Sequence, residues 1–257
     1  MKAPLGRSIA SDVRVVALVL GTFGAFLFAA LSVATAGSVG CGSGANGSQG
    51  YAYAGHQAAG DAHGVRARIT LLEQASVPAG HVAGWVGVGG PDSGPNGEDQ
   101  WLQVGIAVLP QTAPMLYAEI TQAGRPSRFV PLESNLEPGA TRSVAVLEIA
   151  KHPGWWRVWV GEKPVTRAIR LLGSSDNLHP IATAESWNGG GNGCNSFRYR
   201  FDSVGVAGTR GGSWRTFRPG YEFLDRGYRI RKLTPAKGPR LLSGTSPQPY
   251  AFEASSP

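Results

Sequence analysis

The chain has 257 residues, 42% of them hydrophobic and 16% charged, with 37 Gly and 18 Pro. The apolar content excludes a disordered polypeptide, and the density of Gly and Pro excludes long helical bundles and coiled coils. Lys and Arg outnumber Asp and Glu by 24 to 17, and the net charge of +7 favours anionic partners or surfaces without naming a function.

In chain order, residues 1–36 read as a targeting segment. Lys2, Arg7 and Arg14 form a positive n-region, Val15 to Ala34 is an apolar run, and Ala34-Thr35-Ala36 supplies the small residues a signal peptidase accepts. Val15 to Ala36 also has the roughly 20 residues needed to cross a bilayer, so an uncleaved anchor is the alternative, although Gly21 and Gly24 weaken it as a permanent span. Residues 37–50, rich in Gly and Ser, form a flexible linker. Export is therefore expected, giving a secreted protein or an extracytoplasmic one held to the membrane only by its N-terminal segment. In an oxidising compartment Cys41 and Cys194, the only cysteines, are expected to form a single disulfide. His56, His63, His81, His152 and His179 are scattered, no two at ligand spacing, and no metal or other cofactor is expected.

From Gly64 onward the dominant period is two, the signature of half-buried strands. Strands are predicted over Gly64 to Gln74, Val82 to Val88, Trp101 to Val108, Met115 to Thr121, Arg142 to Ile149, Trp155 to Val160, Val165 to Leu171, Ala182 to Trp187, Ser196 to Val204 and Tyr228 to Leu233. Turn clusters such as Glu137-Pro138-Gly139 and the glycines around Asn192 separate them. Many short strands without a helical pattern predict one all-β domain over residues 51–234, an antiparallel sandwich or jelly roll. Residues 235–257, rich in Pro, Ser and Gly, read as a tail that lies over the sandwich or stays loose.

The alternation also assigns faces. Leu102, Val104, Ile106 and Val108 point inward, and Trp101 and Gln103 point outward. Tyr117 and Glu119 oppose Leu116, Ala118 and Ile120, and Glu185 shares its face with Thr183 and Trp187. If the three strands belong to one sheet, its outer surface holds a Gln, two Glu and several aromatics, the lining of a ligand cleft.

These residues carry a resemblance. Trp85-Val86-Gly87-Val88-Gly89-Gly90, Trp101-Leu102-Gln103-Val104-Gly105, Tyr117-Ala118-Glu119, Leu136-Glu137-Pro138-Gly139 and Thr183-Ala184-Glu185 together resemble, in matching order, the glutamic peptidase (eqolisin) family. The resemblance implies a concanavalin-like β-sandwich, a secreted endopeptidase acting on polypeptide, and a catalytic pair at Gln103 and Glu185. Trp85, Trp101, Tyr117, Glu119 and Trp187 would then line the substrate groove. Two departures stand out: the family's Trp-Tyr-Glu-Trp is replaced around Leu116 to Ile120, and Ser186 rather than an aromatic follows Glu185.

The side chains define what such a pair can do. A carboxylate at Glu185 can activate water as general base and return the proton to the leaving amine. The Gln103 amide can donate to the oxyanion of a tetrahedral intermediate. Glu119 could orient the pair or raise the pKa of Glu185 by like-charge proximity. Without the resemblance, Gln103 is a polar residue on a sheet face and Glu185 a partner for Arg198 or Arg200. The same sandwich would then be a non-catalytic, monomeric module for carbohydrate or a cell-envelope polymer.

Two further stretches draw notice. Trp155-Trp156-Arg157-Val158-Trp159 reads as alternating core and surface, with Trp155 and Trp159 on one face where a ligand could stack. Arg210, Arg215, Arg218, Arg226, Arg229, Arg231 and Lys232 suit a solvated strand face or attraction to anionic envelope polymers; export argues against nucleic acid.

Overall fold

The computed structural model describes residues 50–174, 178–190, 194–234 and 250–256. Residues 1–36, Cys41 and all of the linker except Gly50 lie outside the described residues, so the readings placed on them remain expectations.

The alternating pattern folds into sixteen strands: β1 (Tyr51–Ala58), β2 (Gly64–Leu71), β3 (His81–Gly90), β4 (Gln100–Val108), β5 (Met115–Thr121), β6 (Arg128–Glu133), β7 (Thr141–Glu148), β8 (Trp155–Val160), β9 (Lys163–Pro164), β10 (Ile169–Arg170), β11 (Pro180–Trp187), β12 (Arg198–Ala207), β13 (Trp214–Thr216), β14 (Pro219–Leu224), β15 (Arg229–Lys232) and β16 (Tyr250–Ser255). The described residues contain no α-helix, only a single 3-10 turn at Pro95–Gly97. Seven strands form one sheet in the order β14-β1-β11-β3-β4-β5-β6. The other nine form the second, with main order β10-β8-β7-β2-β12-β16-β15, β13 added to β12 and β9 to β8. Neighbouring strands pair antiparallel. The chain is thus a two-sheet β-sandwich of jelly-roll type, the expected fold class.

Period two decides what lies between the sheets. Leu102, Val104 and Ile106 of β4 and Val82, Val86 and Val88 of β3 are all buried, as are Val65, Ile69 and Leu71 of β2 and Tyr199 and Phe201 of β12. Phe201 also stacks on Phe252 of β16 with ring centroids 4.6 Å apart. Burying each of these large side chains stabilises the sandwich by about 1.5–3 kcal/mol relative to leaving it in water.

Most predicted strands agree with the observed ones to within a few residues, and Met115–Thr121 and Trp155–Val160 agree in full. Val165 to Leu171 does not form a continuous strand. Only Lys163–Pro164 and Ile169–Arg170 pair with β8, and between them Thr166 Oγ1 accepts the Val158 N–H at 3.0 Å, so a side chain takes the place of a ladder carbonyl. The stretch read as a tail contains β16, which inserts between β12 and β15 with Tyr250 to Ala254 buried. That strand is covered on both faces, so it lacks the polar alternation that marks a half-buried one. Strand β6 was also unread: Pro131 interrupts its pattern, as suits its place at the edge of the seven-stranded sheet.

Candidate active site

The outward residues of β1, β11, β3, β4 and β5 meet in rows across the seven-stranded sheet. One row runs Tyr51, Trp187, His81; the next runs Tyr53, Glu185, Ala83; a third runs Gly55, Thr183, Trp85, Gly105, Tyr117; a fourth runs Gln57, Ile181, Gly87, Gln103, Glu119. Glu185 and Gln103 thus project from the same face, on strands flanking β3, with Trp85 between their rows. Small residues make this possible. A Cβ on Gly105 would lie 2.6 Å from the Trp85 Cβ, and one on Gly87 would lie 2.8 Å from the Gln103 Cβ. The two glycines leave the width that the indole and the amide occupy.

The polar groups of the face are linked by hydrogen bonds. Glu185 Oε1 lies 2.8 Å from His81 Nε2, and its Oε2 accepts from Trp85 Nε1 at 3.2 Å. Gln103 Nε2 donates to Tyr117 Oη and to Glu119 Oε2, both at 3.1 Å. Trp101 also hydrogen-bonds the Glu119 carboxylate. Beneath them Ala83, Trp85, Ala107 and Tyr117 form a small apolar cluster separate from the main core, against which Tyr53, Met115 and Ile181 pack. Trp85 and Tyr117 are therefore floor rather than wall, 8% and 2% exposed. The walls are Tyr51 stacked on Trp187 (centroids 5.9 Å apart) and Phe129 stacked on Tyr117 (4.8 Å).

Burial shapes the electrostatics. Glu119 is pushed from 4.5 up to about 7, first by desolvation and then by the charge of Glu185; the Trp101 hydrogen bond and His81 oppose the rise. The Tyr117 hydroxyl is raised well above its ordinary value, chiefly by burial. The like-charge influence expected at Glu185 is seen instead at Glu119, where the charge of Glu185 adds to the effect of burial.

All seven side chains singled out in the sequence lie on this one face: Gln103, Glu185, Trp85, Trp101, Tyr117, Glu119 and Trp187. The alternative partners for Glu185 are otherwise engaged, Arg198 with Glu253 at 3.0 Å and Arg200 with Asp202 at 2.7 Å. Ser186, where the family places an aromatic, points inward and is buried beside Asn195 Nδ2 at 3.3 Å. Sequence reasoning missed Tyr51, Tyr53, Phe129 and above all His81, seen there only as one of several scattered histidines. Its position at the start of an alternating strand was legible, but its partner sits 104 residues away across β3 and β11. Among the described residues no group of three His, Cys, Asp or Glu side chains gathers to hold a metal ion. Cys194 lies in the loop after β11, and its expected partner Cys41 is outside the described residues.

No family model and no curated protein matches the sequence. Among solved structures the chain is similar to scytalido-glutamic peptidase bound to a peptide-based transition-state analogue, with 14% identity, 80% of this chain and 97% of that chain covered, and a TM-score of 0.50. It is also similar to SCP-B, a member of the eqolisin family in complex with the tripeptide Ala-Ile-His, at 14% identity, the same coverage and a TM-score of 0.49. A κ-carrageenase from Pseudoalteromonas carrageenovora in complex with an oligotetrasaccharide follows at 11% identity, covering 79% of this chain and 65% of that chain, with a TM-score of 0.32. At such identities the likeness is one of fold: a β-sandwich scaffold that hydrolases use.

Proposed function

We propose that the outer face of the seven-stranded sheet is the active site of a glutamic-type endopeptidase, with Glu185 as general base and Gln103 as oxyanion donor. The observation that carries this reading is the shared face: a buried carboxylate and a buried amide on strands flanking β3, in a floor of Trp85 and Tyr117, each hydrogen-bonded to neutral or titratable groups. His81 and Trp85 orient the Glu185 carboxylate. Water bound to it would lose a proton to the carboxylate as its oxygen attacks the peptide carbonyl carbon. The tetrahedral oxyanion would be met by an amide N–H of Gln103, and the proton would pass from Glu185 to the departing amine.

Both Gln103 N–H bonds are engaged in the resting arrangement, one to Tyr117 and one to Glu119. Donation to an oxyanion requires release of one, and a protonated Glu119 is the weaker acceptor. Catalysis is accordingly expected below about pH 7, where Glu119 holds its proton. Residues 1–36 place the enzyme outside the cytoplasm in this proposal, with a disulfide between Cys41 and Cys194.

Digestion of a denatured protein across a pH series tests the reading. The wild-type chain is expected to cleave at acidic pH and Glu185→Gln to lose about 100-fold or more of that rate, within the usual range for removing a general base. Retention of peptide or carbohydrate without turnover, unaffected by Glu185→Gln, would replace the peptidase with a binding module.

A further inference from the structure

The second sheet carries a feature that plays no part in the chemistry above. On its outer surface, near the β10 edge, a cavity of 290 Å³ is lined by Ile149, His152, Trp155, Arg157 and Ala168. Alternation along β8 builds it: Trp156 and Val158 are sealed in the core, so Trp155, Arg157 and Trp159 face outward. Trp155 is 37% exposed, and the Arg170 guanidinium sits 6.0 Å from its ring centroid.

Three properties define a ligand. The exposed indole offers a flat apolar wall, suited to the C–H face of a sugar ring, whose hydrogens meet the negative face of the aromatic system. The surroundings are cationic: between residues 151 and 170 the sequence holds Lys151, Arg157, Lys163, Arg167 and Arg170 against Glu162 alone. The nearest buried acid, Glu148, is taken up by His63 at 2.7 Å, Arg210 at 3.1 Å and the Gly154 N–H at 2.6 Å. Finally, Arg157 Nε, in the pocket lining, is a buried donor without an acceptor among the described residues. Such donors are costly unless something accepts from them.

The pocket is also held in shape. The Arg170 carbonyl accepts from Gln122 Nε2 at 2.7 Å, and the Leu172 N–H donates to Gln100 Oε1 at 2.8 Å, so the strand beside the pocket is tied to the seven-stranded sheet. Its volume is close to the lower end of the roughly 300–1,000 Å³ usual for ligand sites, room for a sugar unit rather than for a duplex or a folded partner.

We propose that this pocket binds an acidic polysaccharide, with one sugar ring stacked on Trp155 and its carboxylate or sulfate ester held by Arg157 and His152. The site lies on the opposite sheet from Glu185 and Gln103 and stands independently of what they do.

Native affinity electrophoresis of the full chain, through gels containing polygalacturonate, dextran sulfate or uncharged dextran, tests it. Retardation is expected in one or both acidic polymers and not in dextran, with preference for polygalacturonate indicating a carboxylate and for dextran sulfate a sulfate ester. Trp155→Ala and Arg157→Gln are each expected to weaken binding about five- to tenfold, with unchanged circular dichroism. Arg218→Gln, which removes the same charge elsewhere, is expected to leave it within about twofold. The proposal is overturned by absence of retardation, by equal losses in Arg218→Gln and Arg157→Gln, by wild-type retention in both pocket variants, or by tighter binding to a single-stranded oligonucleotide.

Discussion

Two pairs of carboxylates, one pair on each sheet, are held by different company. On the nine-stranded sheet Glu253 meets Arg231 at 2.6 Å and Arg198 at 3.0 Å, and Asp202 meets Arg200 at 2.7 Å. Burial acts to raise Glu253, but the hydrogen bonds of Arg231 and Arg198 overcome it and hold the carboxyl below its ordinary value. On the seven-stranded sheet Glu185 meets His81 and Trp85, and Glu119 meets Gln103 and Trp101. Arginine keeps its charge at every working pH and so pins a carboxylate in the ionised form. The indole and amide donors at Glu119 fix the carboxylate in space and leave its proton to follow burial and neighbouring charge. Glu253 and Asp202 serve as struts, whereas Glu119, with no arginine partner, is pushed up to about 7 by burial and the charge of Glu185.

The contrast can be broken at several points, the largest effect expected at Gln103. If its amide donates to the oxyanion, Gln103→Ala lowers kcat about 100- to 1,000-fold while KM changes little, measured as initial rates on a peptide substrate. A fall in affinity with kcat intact would make Gln103 a binding residue instead.

Glu119 comes next and is read through stability. Its folded pKa of about 7 lies above its ordinary 4.5, so the folded state holds this proton more tightly than the unfolded one. The resulting stability is fully present below pH 4.5 and is lost as pH rises through about 7, a change of about 3 kcal/mol. Urea midpoints between pH 4 and pH 8 should therefore decline more steeply in the wild type than in Glu119→Gln. Parallel slopes would remove the role given to this proton.

Gly105→Ala probes the steric side of the same face. A Cβ there would meet the Gly84 carbonyl and the Cα and Cβ of Trp85, forcing β4 away from β3, and is expected to destabilise by about 2 kcal/mol or more, the scale of overpacking in a filled region, seen as a lowered Tm. The smallest effect belongs to the other sheet. Arg200 and Asp202 form a partly exposed pair, and replacing Arg200 with Gln should cost no more than about 1 kcal/mol, diminishing in high salt.

Which of these residues share a face was legible in the sequence, because β4, β5 and β11 alternate cleanly: Gln103 had to oppose Val104, and Glu185 had to oppose Ala184. The order of strands was not. Nothing local indicates that β3 lies between β11 and β4, so the pairing of His81 with Glu185 could not be read although both residues were in view. Strands β1 and β16 escaped for a related reason. Tyr51 to Ala58 sets small buried residues against half-buried tyrosines, Tyr250 to Ala254 is buried on both sides, and the identity of both as strands comes from neighbours distant in the chain.

The place of β16 has a consequence for how the molecule is made. Strand β12 pairs along most of its length with Tyr250–Ser255, and β15, although synthesised earlier, has β16 as its only ladder partner among the described residues. During translation the nine-stranded sheet therefore keeps an open edge, and its aromatic interior around Phe201 an unfinished wall, until the ribosome has passed residue 255.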